Sequence, residues 1–205
     1  MVDLLVPMKP PYLGKSRLRG AVDEAAHADL VLALAADTLA AASTVVRRIL
    51  VVATDPSAVT RLRGFGAEIA DDAGAPDLNS ALRRGEALLR AADPDAVIGA
   101  LQAELPALRA GELAAALAEA AGRRAFVADS EGTGTTLLLS AAGGPLDPRF
   151  GTGSAAAHAS SGAIAVTVTA PSLRRDVDTP ADLAEAEELG LGEQTAGLLW
   201  ERRVA

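Results

Sequence analysis

Cysteine is absent from the 205-residue chain, which excludes disulfides, thiolate metal sites and a cysteine nucleophile. Aromatic residues are nearly absent too, with three Phe, one Trp and one Tyr. The core must therefore come from Leu, Val, Ile and Ala, a composition that suits helices packed on a sheet. Positive charge is in the minority: 19 Lys and Arg stand against 27 Asp and Glu, a net charge of −8. That balance argues against a general nucleic-acid-binding surface, because phosphate contacts dominate such affinity. No apolar run approaches the roughly 18 residues needed to cross a bilayer, and "MVDLLVPMKP" has no basic region leading into an apolar run. A cytoplasmic protein without membrane association is expected, its length suiting one domain over residues 1–205. Lysine is the rarest cation of all. Its two copies, Lys9 and Lys15, both lie in "VPMKPPYLGKSRL", and arginine carries every other positive side chain.

The patterning alternates strand and helix. "DLLVPM" is a short apolar run stopped by Lys9-Pro10-Pro11, which fits a buried strand entering a loop. Residues 22–42 show apolar spacing of a helix, with Asp23 near its start to complement the dipole. "RRILVVATD" reads as a second strand, and "RLRGFGAEIADD" as a helix end running into a third. "DLNSALRRGEALLRAA" opens on the capping candidates Asp77 and Asn79, and "DAVIGALQAE" follows as a fourth strand. A helix over "RAGELAAALAEAAG" and a strand over "RAFVAD" come next. "GTTLLLSA" and "GAIAVTVTA" read as further strands, separated by the Gly- and Ser-rich "PRFGTGSAAAHASSG". "RRDVDTPADLAEAEELG" turns into a helix with Pro180 in its first turn, and the last dozen residues are expected to be loosely held. The alternation implies an α/β fold with a mostly parallel sheet wrapped on both faces, whose ligands sit at the carboxyl ends of the strands.

Those strand ends collect Lys9, Asp55, Glu104, Asp129, and Asp176 with Asp178. Each carboxylate taken alone is more often a cap or turn residue than a ligand. Lys9 and Lys15, with Arg17, Arg19 and the permissive Gly14, make a basic loop in an acidic protein. Such a loop suits polyphosphate, where lysine is a compact point charge and arginine a bidentate fork. "PPYLGKS" lacks the first glycine of a Walker A loop, which argues against a P-loop kinase. Polyphosphate chemistry calls for Mg²⁺, held by one or two hard carboxylates plus phosphate oxygens, and Glu104 with Asp178 could supply that pair. His27 and His158 are isolated and give a zinc site little support. Ser16, Ser80 and Ser154 lack a GxSxG elbow for acyl transfer.

"VPMKPPYLGKSRL", "DLNSAL", "LQAELPAL", "FVADSEGTGTTLL", "PRFGTGSAAAH" and "LRRDVDTPADL", in this order and spacing, resemble the guanylyltransferases of deazaflavin coenzyme F-420 biosynthesis. These act on 2-phospho-L-lactate or, in actinobacteria, phosphoenolpyruvate. The resemblance extends from Leu4 to Leu191. It implies a Rossmann-like three-layer α/β/α nucleotidyltransferase fold, GTP as donor, a phosphorylated three-carbon acid as acceptor, and Mg²⁺ (or Mn²⁺) as cofactor. By the same resemblance Lys15 falls on the GTP phosphates with Arg17 nearby, Lys9 at the acceptor, and Thr135, Gly151 and Ser154 around its carboxylate and phosphate. Metal is implied at Glu104 and Asp178, with Asp176 as second choice. Leu78, Asn79 and Ser80 are the candidates for reading guanine. Glu104 departs from the usual family aspartate, and its extra methylene shifts the carboxylate by about 1 Å. Two other readings stay open: a nucleotidyltransferase for a molybdopterin or sugar-phosphate acceptor, and a nucleotide-binding scaffold with impaired turnover.

Overall fold

The computed structural model describes every residue except Arg19, Asp23 and Ala205, so the expected roles of Arg19 and Asp23 fall outside the described residues. Among the described residues seven strands form one sheet: β1 (Val2–Met8), β2 (Arg48–Ala53), β3 (Ala67–Asp71), β4 (Val97–Leu101), β5 (Ala125–Ala128), β6 (Thr135–Leu139) and β7 (Ile164–Ala165). Their order is β3-β2-β1-β4-β6-β5-β7. The first four strands run parallel, β6 runs against both β4 and β5, and β7 is parallel to β5. The sheet is thus mostly parallel, as the alternating pattern predicts.

The helices are α1 (His27–Ser43), α2 (Leu78–Ala92), α3 (Ala110–Ala120), α4 (Ser154–Ser160), α5 (Pro171–Arg174), α6 (Pro180–Leu189) and α7 (Glu193–Val204). Alternate strand residues face opposite layers. Leu4, Val6, Ile49, Val51, Leu137 and Leu139 join the cluster under α1, α3 and α5, whereas Leu5, Leu50, Val52, Ile98 and Leu138 join the one under α2 and α4. Both faces of the sheet are buried, which is why its strands read as continuous apolar runs rather than alternating ones. A third cluster packs the outer side of α1 against α6 and α7 through Leu30, Leu34, Val177 and Leu183. Among the described residues no helix is long and apolar enough to cross a membrane.

Four local expectations are corrected. The first helix begins at His27 rather than Val22, after a single 3₁₀ turn over Glu24–Ala26. The Gly- and Ser-rich stretch after Phe150 contains α4, which starts when Gly153 takes a left-handed φ of 71° and accepts the N–H of Ala157. The strand expected over "GAIAVTVTA" stops early. Val166 still donates to Phe126, but the N–H groups of Thr167 and Val168 turn to the Glu119 carboxylate on α3. The C-terminal segment is a docked helix rather than a loose tail. Buried Asp37 on α1 accepts the N–H groups of Gln194 at 3.0 Å and Thr195 at 2.8 Å, and so satisfies the first turn of α7 from outside.

Asp37→Ala removes that acceptor. It is expected to lower unfolding stability by about 1–3 kcal/mol and to make α7 the first site of limited proteolysis. Urea titration and timed digestion check both effects, and unchanged digestion at α7 would count against the docking.

Candidate active site

The strand order changes direction at β1, with β2 on one side and β4 on the other. Open α/β sheets bind ligands at the carboxyl ends of the strands beside such a point. Here the loops after β1, β2, β3 and β4 surround a cleft of about 440 Å³, whose walls include Lys9, Lys15, Asp72, Leu78, Gln102 and Glu104.

The loop after β1 carries the basic residues. It is closed by the N–H groups of Leu13 and Gly14 donating to the Pro10 carbonyl. Lys15 then adopts a φ of 52°, a left-handed conformation that a side chain with a Cβ disfavours. Two bonds hold it there: His27 Nε2–H donates to the Gly14 carbonyl at 2.9 Å, and Leu18 N–H donates to the Lys15 carbonyl at 2.8 Å. The Lys15 ammonium is thereby brought 2.5 Å from Asp178 Oδ1 and 3.4 Å from Glu104 Oε2. Arg17 Nη2 reaches the other oxygen of Asp178 at 2.8 Å, while Lys9 stays exposed at the cleft wall.

Each carboxylate is positioned by its own segment. Thr38, fully buried on α1, accepts the N–H of Leu105 at 2.9 Å and lies 2.7 Å from the Ala103 carbonyl, clamping the backbone on both sides of Glu104. In the run 176–178, Val177 points into the core and leaves Asp176 and Asp178 on the opposite side. The Val177 N–H donates to the Glu104 carbonyl at 2.9 Å, which joins this run to the end of β4. Asp182 in the first turn of α6 accepts the N–H groups of Asp178 and Thr179, completing a capping box.

The electrostatics follow from crowding three acids around one buried ammonium. Burial pulls the Lys15 pKa down, but Glu104, Asp178 and Asp176 together leave it raised, so the side chain is charged at neutral pH. Burial pushes Asp178 up, and the Lys15 and Arg17 cations bring it below its ordinary value. Asp176 is lifted to about 6 by burial, opposed by Lys15 and reinforced by Asp178.

β6 is antiparallel, so its first residue lies at the same sheet edge as the end of β4, where Gln102 N–H donates to the Thr136 carbonyl at 2.9 Å. Thr135 is buried there beside Ser154, at 3.2 Å between hydroxyl oxygens, and beside His158 Nδ1 at 2.9 Å. His158 Nε2 accepts the N–H of Arg149 at 3.0 Å. Burial, with the nearby charges of Arg124 and Arg149 outweighing Asp147, holds its pKa down at about 4. Gly151, at φ 137°, has open space where a Cβ would stand.

Two of the three guanine-reading candidates lie elsewhere. Asn79 exchanges two hydrogen bonds with the backbone of Phe150, at 2.8 and 3.0 Å, which leaves its amide engaged in holding the loop before Gly151. Ser80 lies in the first turn of α2, its N–H capped by Asp77. Only Leu78 lines the cleft. Asp55 and Asp129 are turn residues, capping Ser57 and Ala58, and Thr133 and Gly134. Asp72 went unmarked in the sequence pattern, although an acidic pair directly after a strand, Asp71-Asp72, was a usable signal. It is buried in the cleft wall, accepting from Thr54 Oγ1 at 2.7 Å and Gly74 N–H at 2.9 Å. Among the described residues no group of three His, Asp or Glu side chains forms a metal cage. The oxygen donors that flank the Lys15 ammonium nevertheless fit Mg²⁺, which takes one or two protein carboxylates and completes its shell with phosphate and water.

A family model described as "Guanylyl transferase CofC like" matches residues 2–202. The phosphoenolpyruvate guanylyltransferase of Salinispora arenicola (strain CNS-205) is 50% identical over 198 residues, covering 94% of this chain and 91% of its own. That of Streptomyces scabiei (strain 87.22) is 49% identical over 201 residues, covering 94% and 93%. Among solved structures, a provisionally assigned nucleotide-diphospho-sugar transferase from Desulfovibrio desulfuricans G20 superposes with a TM-score of 0.64 over 92% of this chain and 96% of that one, at 16% identity. At that identity the likeness establishes the α/β nucleotidyltransferase fold alone.

The buried imidazole generates a pH prediction. In the unfolded chain His158 protonates near 6.5, whereas in the folded chain it resists protonation down to about 4. The unfolded state therefore binds the extra proton across this window, and acidification through it removes up to roughly 3 kcal/mol of stability. Urea midpoints at pH 7, 6 and 5 check the slope against those of His158→Asn, for which this contribution disappears.

Proposed function

The chain belongs to the guanylyl transferase CofC-like family, and from that premise we propose that it transfers GMP from GTP to phosphoenolpyruvate, releasing pyrophosphate, in deazaflavin coenzyme F-420 biosynthesis. Phosphoenolpyruvate is preferred over 2-phospho-L-lactate because the relatives near 50% identity carry that substrate in their names. The observation that supports this reading best is the meeting of Lys15, Glu104 and Asp178 at the cleft, from chain segments as far as 163 residues apart.

In this reaction an oxygen of the acceptor's phosphate attacks the α-phosphorus of GTP, and the bond to the β-phosphate's bridging oxygen breaks. A diphosphate-linked product forms and pyrophosphate departs with the bonding electrons. The protein's work is positioning and charge neutralisation. Lys15 and Arg17 offset the charge that grows on the leaving pyrophosphate, and Lys9 at the cleft wall attracts the anionic acceptor. Thr135, Gly151 and Ser154 hold the acceptor's carboxylate and phosphate through hydroxyl and backbone donors. Glu104 and Asp178, with Asp176 beside them, would hold Mg²⁺, which when bound neutralises phosphate charge. Asp72 replaces Asn79 and Ser80 as the guanine reader in this proposal. It is a buried carboxylate that only accepts hydrogen bonds, and guanine's Watson–Crick edge offers the paired donors N1–H and the 2-amino group.

Pyrophosphate release is expected to require both GTP and phosphoenolpyruvate, to stop with a chelator and return with Mg²⁺ or Mn²⁺. Lys15→Ala and Asp178→Ala should each reduce kcat/KM by about a hundredfold or more. Glu104→Asp distinguishes a site built around glutamate, which loses rate, from one handicapped by it, which gains. For the base, Asp72→Asn should weaken GTP binding about tenfold or more and favour xanthosine triphosphate, whose 2-oxo group accepts from the new amide. An unchanged GTP preference in calorimetry would remove Asp72 from the base site.

A further inference from the structure

The hydroxyl pair of Thr135 and Ser154 has a proton count that His158 decides. Because the Arg149 N–H donates to His158 Nε2 at 3.0 Å, the neutral ring carries its own proton on Nδ1 and donates it to Thr135 Oγ1 at 2.9 Å. Thr135 and Ser154 share one further bond at 3.2 Å. Three protons, one on the ring and two on hydroxyls, thus serve two bonds. Whichever way the hydroxyl–hydroxyl bond runs, one O–H proton has no acceptor inside the cluster. With the other tautomer Nδ1 would accept from Thr135, both hydroxyl protons would be used internally, and the pair would offer only lone pairs outward.

We infer that His158 is a positioning residue that acts through its tautomer, turning the Thr135–Ser154 pair into an obligate donor for an anionic oxygen of the acceptor. The inference rests on the acceptor site proposed above and adds what sets its polarity. Carboxylate and phosphate oxygens accept only, so a pair forced to donate favours them over a hydroxyl or amide that would equally well accept a lone-pair partner.

Three features keep the tautomer in place. The ring is fully buried, with Thr135 and Ser154 at 4% and 2% exposure. Phe150 meets it edge-on at 5.1 Å between centroids. The backbone that supplies the Arg149 N–H is anchored one residue later, where Asn79 takes both polar groups of Phe150. The sequence pattern dismissed His158 as a metal ligand, and its role here needs no metal.

Long-range ¹H–¹⁵N spectra of histidine-labelled wild-type protein test the first half directly, because His27 and His158 are its two histidines. A Nδ1–H tautomer at His158 between about pH 6 and 8 is expected; a Nε2–H tautomer or a protonated ring overturns the inference. Steady-state kinetics test the second half. His158→Asn keeps an amide donor near the Nδ1 position, whereas His158→Gln keeps an acceptor for the Arg149 N–H near Nε2 and loses donation to Thr135. His158→Gln should raise the KM for phosphoenolpyruvate roughly tenfold or more while that for GTP stays within about twofold, and His158→Asn should stay within about threefold for both. Equal losses in the two variants, or equal rises for both substrates, mark a merely structural histidine and overturn the inference. Wild-type protein that does not turn over phosphoenolpyruvate would sink the functional reading instead, and the tautomer result would be unaffected by it.

Discussion

Three carboxylates share the space around one ammonium. Left to themselves, Glu104, Asp176 and Asp178 would repel one another at the end of the sheet, and desolvation would penalise each of them. Lys15 resolves this by entering between Glu104 and Asp178, with Arg17 completing the neutralisation of Asp178 from the solvent side. The arrangement still carries three negative side chains against two positive ones, so it favours a further cation. A loop that already presents lysine and arginine favours polyanions just as strongly. A metal–triphosphate pair would satisfy both demands at once, which is the physical basis of the function proposed for this site.

The geometry of that cluster depends on α1, a helix apolar on nearly every side and therefore buried. Its few inward polar residues each hold something outside the helix. His27 binds the carbonyl preceding Lys15, and Thr38 clamps the backbone around Glu104. Asp37 gives α7 its starting acceptor. A buried polar group must find a partner, and on α1 the partners are loops rather than neighbouring side chains, so burying the helix also sets the loops. The proposed acceptor side is organised in the same way by His158 and Asn79, which hold the segment from Arg149 to Phe150 against β6 and α2.

Much of this architecture is legible in the chain itself. Short apolar runs mark β1, β2 and β4, because strands buried on both faces leave no alternation to blur them. Proline punctuation and capping residues mark the starts of α2 and α6. The two lysines stand out in an arginine-rich chain, and the motif resemblance singles out Glu104 and Asp178, which the fold brings to one ammonium. The errors cluster where local signals are weak or a distant side chain intervenes. Small residues disguise α4 as a loop, and Glu119 diverts the backbone that would have extended β7. Asn79 and Ser80, candidates for reading guanine, are engaged locally: Asn79 anchors Phe150, and the Ser80 N–H donates to the Asp77 carboxylate.

What the sequence determined by itself is the set of elements and the chemistry available to them: apolar periodicity and turn residues act over a few neighbours, and charge type needs no geometry. Which of those charges meet depends on long-range packing. Lys15 and Asp178 are 163 positions apart, and their contact depends on β1 lying beside β4 and on the bond from Val177 to the Glu104 carbonyl. The same holds for the tautomer inferred for His158 on α4, which follows from a backbone N–H at Arg149 and faces a hydroxyl on β6. Such partners are chosen by packing, and nothing in the local pattern of residues encodes them.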